Sequence, residues 1–402
     1  MSSPARPSPD ACLPEGRRSL RLLIAYETLA PDYAGGIESR NAELARALAA
    51  RGHRVTLAGF GRSENPPAPG VERRSLGEPR SLYNRSGRRS LRRALEFAHR
   101  IARVDLSAYD VVETANMPFT HLARLARRCR RERVPLLVVW YEVWGDYWPR
   151  YVGRALAPLY AAIERRSARI GDRSAAISDL VRSRLQALRL RDRVALAPCG
   201  VDLAAVHEAA RSASTGPPLV AAGRLIAHKR LDLLLAAVAR LPDLFPGAPL
   251  LAIFGDGPER DRLGELAARL GVGDRIVFRG QVPTLNEIWR GFAGARIAVH
   301  PSEREGFGLV PLEAMAAGLP VVYCRSGESA VAELVRDGIE GCEVEPDAGA
   351  LAAGLRSLLT DEDRRQQLAA GARRRAEAYS WETVAESYEA LLDGMIAERA
   401  GE

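Results

Sequence analysis

The single lysine of this 402-residue chain lies in a basic stretch that could bind phosphate groups. Lys229 is the one lysine among 58 Lys and Arg residues. Gly223 and Arg224 directly follow a predicted strand, and Lys229 precedes a helix with an apolar face. Because a guanidinium is a planar fork and an ammonium a compact charge, the two could hold a diphosphate from different directions. The alternative interpretation is a solvated basic turn.

A second candidate anion site is the stretch 301–320, which reads PSEREGFGLVPLEAMAAGLP. Pro311 suits the first turn of a helix, and Gly318 suits its C-terminal end. This assignment puts Gly306 and Gly308 near the helix N-terminus, where backbone N–H groups lack intrahelical acceptors. The pattern therefore predicts a helix end that can bind an anion.

Two glutamates of this stretch could contact different parts of one extended ligand. Glu305 precedes the predicted helix, and Glu313 lies about two turns along it, within the apolar run 309–315. A carboxylate in apolar surroundings needs a partner or ligand hydroxyl groups, because an unpaired buried charge is costly. We favour ligand binding over the alternative, in which Glu305 compensates the helix dipole and Glu313 is an ordinary helical residue.

Two further strand ends carry weaker signals. Gly255 and Gly257 follow an apolar strand and would let the backbone approach a ligand closely. The strand 136–139 is followed by aromatic rings and two acids, namely Trp140, Trp144, Tyr147 and Trp148 with Glu142 and Asp146. Glu142 and Asp146 are candidates for orienting or deprotonating an acceptor, and a packed loop is the alternative.

Together these motifs resemble glycosyltransferase family four, the retaining nucleotide-sugar transferases of the two-domain GT-B fold. The matching pieces occur in the family's order across nearly the whole chain. They are Gly35 to Glu38, Ser178, Pro198 to Asp202, Gly223 and Arg224 with Lys229, Gly255 to Pro258, and Glu305 to Glu313. The spacing of the last two glutamates is the specific element, since glycine turns alone occur in many proteins.

The resemblance implies a catalytic group of Arg224, Lys229 and Glu305, in which the two cations hold the donor diphosphate and Glu305 faces the transferred sugar. It implies that Glu313 holds the ribose hydroxyl groups. The other implied donor-binding positions are Gly35 and Gly36 from the opposite domain, and Gly223, Gly255, Gly257, Gly306, Phe307, Gly308, Leu309 and Val310. No cofactor or metal is implied, because fixed cations would neutralise the departing diphosphate.

Two positions depart from the family's pattern. Tyr141 stands where the family usually has a histidine that contacts the donor sugar, and Cys199 stands where asparagine is common. Tyr141 joins Glu142 and Asp146 as candidates on the acceptor or sugar side. The first departure leaves the sugar-facing role of this loop open, and the second is expected to have little effect.

Strands and helices alternate along the chain in two series, which predicts two doubly wound parallel sheets of the α/β class. The resemblance adds that the two Rossmann-like domains face each other across a cleft. We predict a disordered tail at 1–17, an acceptor-side domain at 18–211, a linker at 212–218 and a nucleotide-sugar-binding domain at 219–379. A helix at 380–402 is expected to pack back against the first domain.

Composition and charge indicate a cytoplasmic protein. No apolar run reaches the roughly 18 residues of a membrane span, no signal peptide is recognisable, and the five cysteines form no Cys-x-x-Cys pair. The net charge is +8, and much of the excess lies in 71–103. Within it, 85–103 has a basic amphipathic pattern that could dock on anionic lipid at the inner face of the cell membrane. A solvated basic face is the alternative.

Other function classes fit the sequence less well. A dinucleotide oxidoreductase needs Gly-x-Gly-x-x-Gly after the first strand, and residues 27–36 do not contain it. No nucleic-acid recognition motif accompanies the basic charge. We therefore predict retaining transfer of a hexosyl group from a UDP- or GDP-sugar to a hydroxyl of a glycan, glycolipid or secondary metabolite. An epimerase, hydrolase or phosphorylase of the same fold remains the alternative.

Overall fold

The computed structural model describes residues 18–33, 35–62, 67–78, 89–189, 194–282 and 284–400. It divides the chain into two units, one formed by Met1–Gly200 with Trp381–Glu402 and the other by Val201–Ser380. The predicted tail 1–17 lies outside the described residues, as does the part of the basic segment at 85–88.

The first unit is built on a parallel sheet. Its strands are β1 (Arg21–Thr28), β2 (Arg54–Phe60), β3 (Val71–Ser75), β4 (Val111–Ala115), β5 (Leu136–Trp140), β6 (Arg173–Ala176) and β7 (Ala195–Leu196). Its helices are α1 (Gly36–Ala50), α2 (Leu91–Ile101), α3 (Leu122–Glu132), α4 (Trp148–Val152), α5 (Ala157–Ser167), α6 (Asp179–Arg189) and, at the end of the chain, α15 (Trp381–Ala400). The strand order is β3-β2-β1-β4-β5-β6-β7.

The second unit repeats this plan. Its strands are β8 (Leu219–Ala222), β9 (Leu251–Phe254), β10 (Ile276–Gly280), β11 (Ile297–His300), β12 (Val321–Cys324) and β13 (Gly341–Val344). Its helices are α7 (Leu203–Arg211), α8 (Leu231–Val238), α9 (Arg260–Arg269), α10 (Leu285–Ala293), α11 (Leu309–Ala316), α12 (Val331–Leu334), α13 (Ala348–Thr360) and α14 (Glu362–Glu377). The strand order is β10-β9-β8-β11-β12-β13, again parallel.

Short apolar runs form both sheets because helices cover both faces of each. Every residue of β5, β9, β11 and β12 is buried, as expected for parallel strands with no solvent-facing side. The prediction of two doubly wound parallel-sheet units is therefore confirmed. The strand β3 was not predicted, because it reads VERRS and buries Val71 alone, as a charged edge strand does.

The second unit begins before α7, which corrects the predicted boundary after residue 211. α7 packs on α10 of the second unit. The following segment, predicted as a linker, is also bound there: Arg290 Nε donates to Ser212 Oγ at 3.0 Å, and the Gly216 N–H donates to the Gly294 carbonyl at 2.9 Å. Ser212 and Gly216 are therefore hydrogen-bonded within the second unit.

α15 belongs to the first unit and packs against α1. Its Tyr388 donates a hydrogen bond to Glu113 on β4, and the same carboxylate pairs with the fully buried Arg40 of α1. Arg51 donates to Glu389 of α15 at 2.6 Å. Because buried polar groups are costly to leave unpaired, these contacts tie the last helix to the first sheet.

Candidate functional site

The strand order brings two of the predicted motifs together at one edge of the second sheet. β8 has β9 on one side and β11 on the other, so the strand order reverses at β8 and β11. The loops that follow these two strands leave the same carboxyl edge side by side, and ligands of doubly wound sheets bind at such a point. The first loop carries Arg224 and Lys229, and the second carries Glu305.

Lys229, Glu305 and His300 form a connected polar cluster at this edge. Lys229 ends a 3-10 turn, Ala227–Lys229, and its ammonium donates a hydrogen bond to Glu305 Oε2. His300 is the last residue of β11, and its Nε2 lies 3.1 Å from the same oxygen. The side chains of Lys229 and Glu305 are 18% and 19% exposed, so a ligand can still reach them.

Burial and charge shift the pKa values of this cluster. Burial alone would raise the pKa of Glu305, but the charge of Lys229 and the hydrogen bond with His300 outweigh it and hold this pKa well below its usual range. Burial lowers the pKa of His300, and burial together with the charge of Lys229 lowers the pKa of His228 to about 4. At neutral pH the Glu305 carboxylate is therefore ionised and the His300 imidazole beside it is neutral, as is the nearby His228 imidazole.

The helix α11 follows this cluster and begins and ends where the sequence predicts. Gly308 adopts a left-handed φ of 109° just before the helix, and Gly318 has a φ of 85° just after it. Leu309 and Val310 supply the N–H groups of the first turn, because Pro311 has none. The helix N-terminus thus follows the loop that carries Glu305, as an anion-binding arrangement requires.

Glu313 on α11 is half-buried, and burial raises the pKa of its carboxyl to about 7. Trp289 lies close enough to lower this pKa against the effect of burial. The buried Nε1 of Trp289 nevertheless has no hydrogen-bond partner at good geometry among the described residues. The half-buried Glu313 carboxyl therefore keeps hydrogen-bonding capacity that ligand hydroxyl groups could use.

We expect nucleoside diphosphate binding to strengthen as the pH rises through about 7, the pKa of Glu313. Ligand hydroxyl groups donate to the ionised carboxylate, and its ionised fraction increases about tenfold between about pH 6 and about pH 8. The unliganded protein should lose stability as the pH rises from about 4.5 to about 7, because the folded state holds this proton more tightly than the unfolded state.

Calorimetric titration and thermal unfolding at several pH values measure the two dependences. Glu313→Gln is the control, because it keeps the shape of the side chain and removes its titration. Any dependence left in the variant belongs to other groups, including the ligand phosphate, whose second pKa is about 6. Equal slopes in the variant and the parent protein would contradict this role of Glu313.

Three predicted glycines serve the local backbone. Gly223 has a φ of 129° and Gly255 a φ of 124°. A Cβ on Gly255 would lie 2.0 Å from the Gly223 carbonyl oxygen, and one on Gly257 would lie 2.4 Å from that of Leu225. These glycines let the loops after β8 and β9 pack backbone against backbone, which positions the exposed Arg224. Direct contact of Gly223, Gly255 and Gly257 with a donor stays a prediction.

Gly35 and Gly36 lie at the start of α1 in the first unit. A Cβ on Gly35 would lie 2.4 Å from Oε2 of Glu38, a buried side chain that accepts a hydrogen bond from Thr28 Oγ1 at 2.5 Å. Glu38 therefore closes the turn that leads from β1 into α1. The approach of Gly35 and Gly36 to a donor phosphate stays a prediction.

Tyr141 packs inside the first unit. Its hydroxyl donates to Asn41 Oδ1 at 3.2 Å, and its ring centroid lies 5.9 Å from Arg40 Cζ. Only 9% of Tyr141 is exposed, and burial raises its pKa well above the usual value. A sugar-side role for Tyr141 stays a prediction, and it would require this packing to open.

The aromatic loop after β5 is organised around a buried carboxylate. Glu164 accepts hydrogen bonds from the Trp144 N–H at 2.7 Å, the Gly145 N–H at 2.9 Å and Trp148 Nε1–H at 3.0 Å. Trp144 and Trp148 stack with ring centroids 5.0 Å apart. These contacts favour the packed-loop interpretation for the tryptophans. Of the two candidate acids, Glu142 is half-buried and Asp146 is exposed, so Asp146 is the more accessible to an acceptor.

Sequence analysis missed His300, His228 and Trp289. The available signal for His300 was its position, a polar residue at the end of an otherwise apolar strand and just before the loop of Glu305. Trp289 gave no comparable signal, because an aromatic residue on a helix usually packs in the core. Among the described residues, no group of three or more His, Cys, Asp and Glu comes together to hold a metal ion. Independence of a metal stays a prediction.

Two family models match successive parts of the chain. Residues 34–205 match the model described as Glycosyltransferase Family 4, and residues 205–375 match Glycosyl transferases group 1. The two matches meet in α7, close to the boundary between the two units. All the site residues of the second unit described above lie within the second match.

Curated relatives cover part of the chain. A D-inositol 3-phosphate glycosyltransferase of Geodermatophilus obscurus is 38% identical over 227 residues, which is 52% of this chain and 49% of that protein. A GDP-mannose-dependent alpha-(1-6)-phosphatidylinositol dimannoside mannosyltransferase of Mycobacterium tuberculosis is 34% identical over 51% of this chain and 54% of that protein. The matched part spans about half the length of these relatives.

Solved structures resemble nearly the whole chain. Sucrose-phosphate synthase from Thermosynechococcus elongatus superposes with a TM-score of 0.77 and 22% identity, over 94% of this chain and 100% of that one. Anabaena HepE in complex with UDP and glucose superposes with a TM-score of 0.71 and 18% identity, over 93% of this chain and 99% of that one. At these identities the likeness shows the fold, and with the two parallel-sheet units it identifies a GT-B architecture.

Proposed function

The chain belongs to glycosyltransferase family four, and from this premise we propose that it transfers a hexosyl group from a UDP- or GDP-sugar to an acceptor hydroxyl with retention at the anomeric carbon. The acceptor would be a glycan, a glycolipid or a secondary metabolite. Donor binding would fall to the second unit, where Lys229, Glu305 and Glu313 lie near one sheet edge.

The observation that carries this proposal is the contact of the single lysine with Glu305 and, through it, with His300. A donor diphosphate placed between Arg224 and Lys229 would be held by fixed cations, and the N-terminus of α11 would supply backbone N–H groups. The ionised Glu305 would then lie beside the sugar rather than the phosphates, because it repels them.

The proposed step breaks the bond between the anomeric carbon and the diphosphate oxygen, and the electron pair leaves with the diphosphate. Lys229 and Arg224 neutralise the charge that develops there. The acceptor oxygen attacks the same face of the carbon, and its proton passes to the departing phosphate. The residues of this chain bind and orient the donor, and no side chain needs to form a covalent intermediate.

Incubation of the full chain with a panel of UDP- and GDP-sugars tests the proposal in two stages. Thermal stabilisation by one nucleoside diphosphate, measured across the panel, would identify the base. Hydrolysis or transfer products with the matching sugar, analysed for anomeric configuration, would then establish the reaction. Stabilisation by no diphosphate would refute the proposed donor site.

A nucleotide-sugar epimerase or hydrolase is the second candidate function, because it uses the same donor contacts without a sugar acceptor. It predicts full turnover with donor alone. A transferase instead hydrolyses the donor slowly, and an added acceptor accelerates donor consumption by transfer. One comparison of donor consumption with and without acceptor therefore separates the two functions.

We further propose that the protein is cytoplasmic and docks on anionic lipid through α2. Leu91 and Leu95 are 64% and 53% exposed, whereas Ala98 and Ile101 of the same predicted face are buried. Several of the arginines pair with acidic side chains of the protein, as Arg93 and Arg100 do with Glu96 of the same helix. None of the described helices has the length and apolar character needed to cross a bilayer.

Leu91→Ser/Leu95→Ser is therefore expected to weaken co-sedimentation with phosphatidylglycerol vesicles about tenfold or more, because burying each leucine contributes about 1.5–3 kcal/mol. Leu159→Ser, at an exposed leucine of α5, is the matched control. Equal sedimentation of the α2 variant and the parent protein, or no sedimentation of the parent, would count against docking through α2.

A further inference from the structure

Two helices of the first unit enclose a small groove lined mainly by arginines. α3 contributes Arg127 and Arg130, α5 contributes Arg166, and Arg169 follows shortly after the end of α5. Ala123, Ala126 and Ile170 complete the lining, and the groove has a volume of about 320 Å³. Its size is at the lower end of the roughly 300–1,000 Å³ typical of small-ligand pockets, which suits a small ligand rather than a macromolecule.

The four arginines of this groove are unpaired. Within the described residues, none of their guanidinium groups makes an ion pair or a side-chain hydrogen bond, and no acid lines the groove. Many other arginines of the first unit are paired, as Arg128 is with Glu132. Four like charges around one space repel each other, and a multiply charged anion would relieve that repulsion.

A helix-dipole role accounts for only part of this arrangement. Arg130 and Arg166 lie in the last turns of α3 and α5, where a positive charge stabilises the helix end. That role requires no neighbouring arginine on the opposite helix. Facing arginines on two helices add repulsion that a helix-dipole role leaves uncompensated.

The groove is separate from the carboxyl edge of the sheet. α3 runs from β4 back to the start of β5, and α5 ends shortly before β6 begins. The last turns of both helices therefore lie at the amino edge of the first sheet, opposite the edge where ligands of doubly wound sheets bind. A ligand in this groove occupies a second site, distinct from any site at the strand ends.

We infer that this groove binds a phosphate-bearing anion with at least two negative charges. Arginine matches the oxygens of a phosphate group with paired N–H donors, and Arg127 and Arg166 supply such donors from the two sides. The ligand is either a soluble phosphate compound or the phosphate of a lipid headgroup, since both present the same chemistry. The inference does not depend on the proposed transfer reaction.

Calorimetric titration with inorganic tripolyphosphate tests the soluble source. The titrations use the full chain carrying Lys229→Met, so that the candidate donor site is weakened equally in every variant compared. R127Q/R166Q is expected to weaken binding at least about tenfold, because each removed arginine deletes charge-assisted hydrogen bonds. R124Q/R131Q also removes two positive charges, both from α3 and outside the groove lining, and about a twofold change at most is expected from screening.

Co-sedimentation with phosphatidylglycerol vesicles, compared with phosphatidylcholine vesicles, tests the headgroup source with the same two variants. Loss of binding in R127Q/R166Q but not in R124Q/R131Q supports the anion site in the groove. Loss in the tripolyphosphate titration identifies a soluble phosphate compound as the ligand, and loss in the vesicle experiment identifies a lipid headgroup. Binding in neither arm, or equal losses in R127Q/R166Q and R124Q/R131Q, would overturn the inference. A lowered melting temperature with unchanged binding would assign the arginines to the helix dipole instead.

Discussion

Lys229→Met is expected to lower kcat/KM for the nucleotide-sugar donor at least about a hundredfold, the loss typical for removal of one fixed group that stabilises developing charge. In the unliganded protein the ammonium pairs with Glu305, which itself contacts His300, so the lysine already lies at this sheet edge before a donor arrives. Lys229→Arg keeps the charge but replaces a compact group with a planar fork. We expect kcat/KM of Lys229→Arg to be higher than that of Lys229→Met but about tenfold below that of the parent protein.

Steady-state kinetics on the full chain measure this effect, and melting temperatures confirm that each variant is folded. Arg230→Gln is the control, because it removes a neighbouring positive charge that pairs with Asp232. The control should change kcat/KM by no more than a few-fold, as for an exposed ion pair. Equal losses in Lys229→Met and Arg230→Gln would mean that net charge, not the position of Lys229, determines donor use.

The sequence predicted the two sheets well because apolar strand runs and helix-terminating residues are local signals. α11 illustrates this, since Pro311 and Gly318 fix its ends through their own backbone preferences. The pairing of Lys229 with Glu305 could be anticipated only in part. Their two loops are far apart in sequence, and the strand order β9-β8-β11 brings them together.

The features that sequence analysis missed depend on tertiary packing. His300 is a candidate site residue because it contacts Glu305 at the end of β11, and its position at the end of an apolar strand hints at a site without revealing that contact. The sequence also does not show why residue 255 is a glycine. A Cβ at this position would clash with the backbone of the loop after β8. The placement of α7 in the second unit follows from its packing on α10, which no local pattern encodes.

Glu305→Gln is expected to lower kcat without weakening nucleoside diphosphate binding. A variant that merely loses structure would lower both. Glu305 competes with a diphosphate for Lys229, because its carboxylate accepts the lysine's hydrogen bond in the unliganded protein. Removing the negative charge frees the ammonium, so nucleoside diphosphate affinity should stay the same or rise a few-fold. The same change should lower kcat about a hundredfold or more, because a fixed anion near the sugar stabilises the positive charge that develops as the glycosidic bond breaks.

Calorimetric affinity for the nucleoside diphosphate and kcat for the full donor, measured on one preparation, give both quantities. Glu303→Gln removes a neighbouring carboxylate two positions earlier in the same loop and should change neither by more than a few-fold. A fall of affinity and kcat together in Glu305→Gln would show that Glu305 maintains the loop rather than acting on the sugar. A lower kcat with unchanged or higher affinity would instead indicate that Lys229 pairs with Glu305 in the free protein and with the diphosphate in the complex. The ion pair is then the resting state of the site, and donor binding replaces it.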